Sequence, residues 1–323
     1  MRKRKWLAVG LAVCLLLAGL SGCAGQQRQL RVTLVLKTVT EVAEFWGTLL
    51  SGVEKAAAEY GVELKVLTAP REVDIDEQIE LIRQVTAEKP DVMILSASDY
   101  DRCAEATEEA IAAGIGVVAV DTDVNAAGRA CFVGSNNYEV GLEMGRAMAS
   151  YLPEGGKVAV IQHMLTTTTG IDRTRGVIDA LTNAGNIEIL GSFCCDNSTD
   201  RAQSLTKELL EQTPDISGFV CTNEVCNVGA ANALVELGMG GKVFVVGCDN
   251  SQRQIAFLEQ NIIQAIVTQR PFNMGYIAVQ QAVEVASGEK SEDFVEVPCV
   301  LITRENMYTQ ENQKLLFPLT GES

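Results

Sequence analysis

A single histidine, His163, stands in a chain of 323 residues, and this shortage removes whole classes of chemistry. A conventional zinc site and a Ser/His/Asp or Cys/His triad each need imidazoles that the chain does not supply, because nucleophilic catalysis ordinarily requires a base beside the nucleophile. No metal, cofactor or catalytic residue is expected. Basic residues are also scarce, 26 against 42 acidic ones. That balance argues against nucleic acid or an anionic lipid surface as a partner bound through a basic face. There is no paired CxxC pattern with histidine, no low-complexity linker, and no apolar run of comfortable spanning length.

The longest apolar run, Trp6 to Leu20, follows Arg2, Lys3, Arg4 and Lys5 and reads as a secretion signal. It ends in Leu20-Ser21-Gly22-Cys23, which resembles a bacterial lipobox in which the Cys23 thiol takes diacylglycerol; an ordinary signal anchor with an incidental Cys23 is the bland alternative. Acyl chains contribute about 0.8 kcal/mol per buried methylene, so a Cys23 carrying two or three of them holds a protein on the membrane without a spanning helix. Residues 1–22 are thus expected as signal and 23–29 as a lipidated tether. The signal carries four basic and no acidic residues, so its removal takes the formal charge from −16 to −20. Eight further cysteines lie in the body, most inside apolar stretches such as "GFVCTN" and "VVGCDN". Outside the cell they invite a disulfide reading, but in such stretches a free cysteine behaves as a small hydrophobe. Cys194-Cys195 and Cys221/Cys226 are the redox or metal candidates.

From Leu30 onward the chain alternates strand and helix. "LRVTLVLK" reads as a buried strand, and a helix follows on which Trp46, Leu49, Val53, Ala56 and Tyr60 keep helical spacing. Asp74 with Glu77 resembles a capping box for the next helix. After "CFVGSNN" the alternation resumes through "KVAVIQ", "IEILGSF", "SGFVCT", "KVFVVGC" and "IIQAIVTQ", with one helix expected from about Ile171 to Ala184. Such a pattern implies an α/β fold of two doubly wound parallel-sheet lobes. Without a linker, the lobes are expected to exchange chain through three hinge crossovers, near Gly134 to Asn136, Gln269 and Pro298. Residues 30–135 plus 270–297 form the first lobe, and 136–269 plus 298–323 the second.

Ligands of open parallel sheets bind outside the carboxyl ends of the strands. Those ends carry Ser96, Ser98, Asp121, Asp123, Gln162, His163, Asn223, Glu224, Asp249, Asn250, Gln269 and Arg270, with Phe45 and Trp46 early in the first helix. Aromatic faces beside carboxylates, amides and a guanidinium suit a small polyhydroxylated molecule. Each candidate has a bland reading. Trp46 fits the apolar stripe and could be core, which leaves Phe45 as the better stacking face. Asp121 and Asp249 could be simple caps, and His163 a polar loop residue. Arg173, in "TTTTGIDRTRG", reads as a cation in the first turn of a helix, where the macrodipole disfavours it; either it pairs with Asp172 or it enters the cleft as a hydrogen-bond fork. The "TTTT" run reads as a loop, and Arg270 faces either ligand or solvent.

These strand ends give the chain a resemblance to type I periplasmic binding proteins of the ribose/galactose class, which are related to the ligand domains of lactose-repressor-type regulators. Phe45-Trp46, "VVAVD" ending in Asp121, "RTRG" at 173 to 176, "CTNE" with Asn223, "VVGCD" with Asp249 and "VTQRP" with Gln269 carry it, in order, over residues 31 to about 304. The resemblance implies that Phe45, Trp46, Asp121, Arg173, Asn223, Asp249 and Gln269 contact ligand from both lobes. It implies a lipoprotein form tethered outside the cytoplasm, acting as a monomer whose closed state is read by an ABC permease and its ATPase; a ligand-sensing co-receptor for a chemoreceptor or sensor kinase is the alternative. Three positions depart from the family pattern. Thr122 and Asp123 follow Asp121 where arginine is usual, Asp196 and Asn197 stand where an aromatic often closes the sandwich, and Glu224 replaces an aspartate. The ligand is therefore left open among a pentose or hexose, an amino sugar, a polyol, a cyclic diol-type signal and another small polar solute.

Overall fold

The computed structural model describes residues 28–38 and 44–317. The expected signal, Cys23 and most of the tether lie outside these residues. The described chain starts with β1 (Arg31–Leu36), α1 (Glu44–Tyr60), β2 (Glu63–Thr68), α2 (Ile75–Glu88), β3 (Val92–Leu95), α3 (Ala104–Ala112), β4 (Gly116–Val120) and β5 (Cys131–Gly134). It continues through α4 (Asn137–Tyr151), β6 (Gly156–Gln162), α5 (Thr168–Ala184), β7 (Ile187–Cys194), α6 (Thr199–Gln212), β8 (Ile216–Cys221), α7 (Glu224–Glu236), β9 (Phe244–Cys248), α8 (Gln252–Glu259) and β10 (Ala265–Thr268). α9 (Pro271–Ser287), β11 (Phe294–Glu296), β12 (Val300–Thr303) and α10 (Gln310–Leu316) complete it.

Two six-stranded sheets result, ordered β11-β5-β4-β3-β1-β2 and β12-β10-β9-β8-β6-β7. Helices cover both faces of each, which is why strands such as β3 and β4 are apolar along their length instead of alternating. In the first sheet one face packs Leu34, Ile94 and Val118 beneath α1 and α9, and the other packs Val35, Met93 and Leu95 beneath α2 and α3. The second sheet repeats this with Phe219 and Val245 on one side and Val158 and Val246 on the other. Each such side chain, fully buried, contributes about 1.5–3 kcal/mol. The chain passes between the sheets three times, after β5, after β10 and between β11 and β12. These passages coincide with the expected crossovers near residues 134–136, 269 and 298.

Several local expectations change. β12 runs antiparallel to β10, so the second sheet is not wholly parallel. β11, β12 and α10 were not among the expected elements. Asp74 precedes α2 but makes no side-chain cap; Arg71 takes its carboxylate, with Nη2 at 2.6 Å and Nε at 3.1 Å. The threonine run is only half loop: Thr166 and Thr167 precede α5, Thr167 caps it by accepting from the Gly170 amide at 3.2 Å, and the helix starts at Thr168. Arg173 therefore sits in the second turn, beyond the strongest part of the dipole. All eight body cysteines are free, and the Cys195 and Cys226 sulfurs touch at 3.4 Å without a bond.

Glycines set how closely the site-bearing helices approach. A Cβ on Gly141 of α4 would lie 2.2 Å from the Arg173 carbonyl oxygen, and one on Gly176 of α5 would lie 2.2 Å from that of Tyr138. The two backbones pack directly, and this contact positions the turn that carries Arg173.

Candidate functional site

β1 ends in a buried charge. Lys37 follows Leu36 and is 2% exposed; its Nζ lies 2.9 Å from Glu72 Oε1 and 3.5 Å from Asp121 Oδ2 and donates to Thr122 Oγ1 at 2.7 Å. The Lys37 ammonium is also 5.5 Å from the centroid of the Trp46 ring. Trp46 meets Phe45 edge to face at 5.1 Å. It joins the apolar core of the first sheet and lines the pocket as well, so the two readings of Trp46 are both realised. Phe45, half-buried, also lines the pocket.

Arg173 comes from the second sheet's side and is 2% exposed. Its Nε donates to Asn137 Oδ1 and its Nη1 to the Thr222 carbonyl, both at 2.9 Å, so α4 and the end of β8 fix the plane of the fork. The pairing with Asp172 belongs instead to Arg175, at 3.0 Å. Asn223 caps α7 by accepting from the Cys226 amide at 3.0 Å, and its Nδ2 donates to Asn197 Oδ1 at 2.9 Å. Asp249 accepts from Gln269 Nε2 at 2.5 Å through Oδ1 and from the Glu224 amide at 3.1 Å through Oδ2. Asp121 and Asp249 both hold left-handed backbone, a strained conformation that tends to gather at functional positions. Neither caps its own following helix.

His163 is buried between hydroxyls, with Nδ1 2.7 Å from Thr222 Oγ1 and Nε2 3.1 Å from Thr169 Oγ1. Burial, helped by Arg173 and Lys37, pushes its pKa well below the ordinary value, so the ring is neutral. Glu224 moves the other way: burial first and the neighbouring Asp249 charge next push its carboxyl up to about 8.

These residues enclose one pocket with about 420 Å³ of empty space including its mouth. Phe45, Trp46, Asp121, Arg173, Asn223, Asp249 and Gln269 all line it. Lys37, Glu72 and Thr169 line it too and were not expected, and only Lys37 left a signal, a lone charge ending an apolar strand; Asn197, noted where an aromatic often closes the sandwich, is there as well. His163 and Glu224, both noted at strand ends, join them. Asn250 and Arg270 face a neighbouring groove instead. The two halves touch around the pocket: Asn197 Nδ2 donates to Glu72 Oε2 at 2.7 Å, the Gln252 amide to Glu44 Oε1 at 3.2 Å, and the Tyr100 amide to the Thr166 carbonyl at 2.9 Å. Carboxylates that accept paired hydroxyls, a fixed guanidinium that donates, and aromatic faces together make a site that holds a small polar molecule by many directed bonds.

Two α/β lobes with a polar pocket between their strand ends define a solute-binding architecture. Residues 33–290 match the family described as "Periplasmic binding protein domain", and the chain belongs to that family of extracytoplasmic, non-catalytic binding proteins. It is similar to the D-allose-binding periplasmic protein of Escherichia coli (strain K12), 25% identical over 84% of this chain and 91% of that one. It is similar also to the D-ribose/D-allose-binding protein of Pseudomonas aeruginosa, 26% identical over 93% of this chain and 98% of that one. The fold matches a carbohydrate transporter solute binding protein from Agrobacterium radiobacter, solved in complex with D-arabinose, with a TM-score of 0.86 and 23% identity over 90% of this chain and all of that one. Among the described residues, no helix is long and apolar enough to cross a membrane.

Proposed function

We propose that this chain captures a small polyhydroxylated solute, a sugar or sugar-like molecule, between its lobes and delivers it to an ABC permease and its ATPase. The observation that carries the reading is the convergence of Asp121, Asp249, Asn223, Gln269 and the Arg173 fork on one buried pocket beside Phe45 and Trp46. Relatives described as binding D-allose and D-ribose, and a neighbour of like fold holding D-arabinose, support the chemical class. Segments 30–135 plus 270–297 and 136–269 plus 298–323 act as the two moving bodies, and a ligand that bonds to both stabilises the closed arrangement, which is the form a transporter reads. Cys23 carries the lipid that tethers a monomer to the membrane.

A thermal-shift screen of the purified mature chain tests this reading, because a ligand selective for the folded state raises the midpoint. D-allose, D-ribose, D-arabinose, further monosaccharides and amino sugars, polyols and nucleosides form the panel. At least one sugar or polyol is expected to raise the midpoint; a panel in which only nucleosides act, or nothing does, contradicts the proposal.

A further inference from the structure

The pocket is not electrically balanced. Glu72, Asp121, Glu224 and Asp249 line it against two cations, Lys37 and Arg173. Lys37 lies between Glu72 and Asp121, one ammonium against two carboxylates, and so offsets part of the charge on that side. Arg173 spends two of its bonds on Asn137 and a carbonyl, and no carboxylate within salt-bridge distance faces it among the described residues. Glu224 and Asp249, on the other side, form no salt bridge among the described residues. The Glu224 side chain is 4% exposed and lines the pocket, and its Oε2 has no hydrogen-bond partner among the described residues. Asp249 from the end of β9 and Glu44 from α1 act on it as like charges, and a hydrogen bond from the Ser251 hydroxyl and one from the Glu44 backbone relieve it in part. A buried carboxylate without a counter-charge is costly unless it takes a proton or finds a cation.

We infer that the solute carries an amine beside its hydroxyls, as an amino sugar or aminopolyol does, and that Glu224 receives the ammonium. This rests on the sugar-like reading above and specifies it. An ammonium at Glu224 completes the unpartnered Oε2 and compensates the carboxylates there, and the Phe45 ring that lines the same pocket presents an aromatic surface that attracts cations. Glu224 then sets specificity, while Asp121, Arg173 and Asp249 hold hydroxyls common to charged and neutral sugars. The high pKa in the empty pocket adds a signature. At pH 7 the carboxyl is largely protonated, so seating an ammonium expels a proton, and a neutral sugar has no such requirement.

The test is calorimetric titration of the full mature chain with matched probes: D-glucosamine against D-glucose, D-galactosamine against D-galactose, and D-mannosamine against D-mannose. One amine is expected to bind about tenfold or more tightly than its hydroxyl counterpart, the discrimination that one charged hydrogen bond provides. That amine is expected to release protons in buffers of differing ionisation enthalpy, with affinity rising from pH 6 to 7. Glu224→Gln, checked for an unchanged fold by its melting curve and by Glu224→Asp as a charge-retaining second variant, is expected to erase the amine preference, and Glu224→Asp to keep part of it. Neutral sugars binding as tightly as every amine, with no proton release, overturn the inference and leave the sugar-binding proposal standing. A chain that binds none of the six probes overturns the inference, and the sugar-binding proposal then stands or falls by the thermal-shift panel.

Discussion

Asp121 and Asp249 occupy the same place in the two sheets. Each follows the third strand from one edge, β4 in the order β11-β5-β4 and β9 in the order β12-β10-β9. Each holds left-handed backbone, with φ of 62° and 70°, and each donates its amide to a valine carbonyl on the adjacent strand at 2.9 Å, Val133 for one and Val267 for the other. A ligand between the sheets therefore meets two carboxylates offered from opposite sides by the same backbone device.

Asparagine tolerates left-handed backbone as aspartate does, so Asp121→Asn and Asp249→Asn remove charge with little added strain. Oδ1 of Asp249 already accepts from Gln269 and from the Cys248 thiol, whereas Oδ2 accepts only the Glu224 amide and keeps a lone pair for a hydroxyl. Each substitution is expected to weaken binding by about 1.5–3 kcal/mol, the cost of losing a charged hydrogen bond. Calorimetric titration with the sugar found by thermal shift checks it.

Lys37 is a structural cation as much as a site residue. Its removal leaves Glu72 and Asp121 facing each other at 4% and 6% side-chain exposure without a counter-charge. Lys37→Met is expected to destabilise the ligand-free protein by about 3–5 kcal/mol, as breaking a buried ion pair does. Adding Glu72→Gln should recover part of that loss in urea unfolding. A loss in the single variant below about 1 kcal/mol contradicts the assignment.

The ligand-free protein should lose stability as pH rises from about 6.5 to 8. The native Glu224 pKa of about 8 lies above the ordinary value of 4.5, so across that interval the folded state keeps a proton the unfolded chain has released, and its advantage fades as pH rises. His163 is shifted downward and acts with the opposite sign, costing stability as pH falls below the ordinary histidine value of 6.5. The two effects oppose each other between pH 4.5 and 6.5, and Glu224 alone acts above. The decline is at most about 1.4 kcal/mol per pH unit for one proton. Unfolding curves between pH 6.5 and 8 should show it in the wild type and not in Glu224→Gln.

Gly141→Ala tests how the helix pair positions Arg173. Its Cβ meets the Arg173 carbonyl oxygen at 2.2 Å, so α4 and α5 must part. A stability loss of about 1–3 kcal/mol is expected, as for overpacking, together with weaker sugar binding. Gly47→Ala is the control: nothing lies within 4 Å of the added carbon, and an alanine in exposed helix should stabilise by about 0.5–1 kcal/mol without touching affinity.

The sheets were legible because buried parallel strands leave continuous apolar runs, and the pocket because polar residues interrupt those runs where the strands end. What was hidden depends on tertiary contact. Glu72 lies in a connection after β2 and matters only because Lys37 reaches it; the place of Asn197 was legible, but not its bridge between Asn223 and Glu72. β11 and β12, three and four residues long, leave no run to detect. The Asp74 pattern matched a capping box, yet a local ion pair with Arg71 captured the carboxylate. Threonines are indifferent helix formers, which put the expected start of α5 at Ile171 when the Thr167 cap starts it at Thr168.

The central claim, that a small sugar-like solute binds between the lobes against the fixed guanidinium, is tested most directly by titrating Arg173→Ala and the wild type with the same sugar. The account predicts saturable one-site binding by the wild type and affinity weaker by roughly 30-fold or more in the variant, about 2 kcal/mol, with its fold retained. Equal affinity in the two proteins would contradict it.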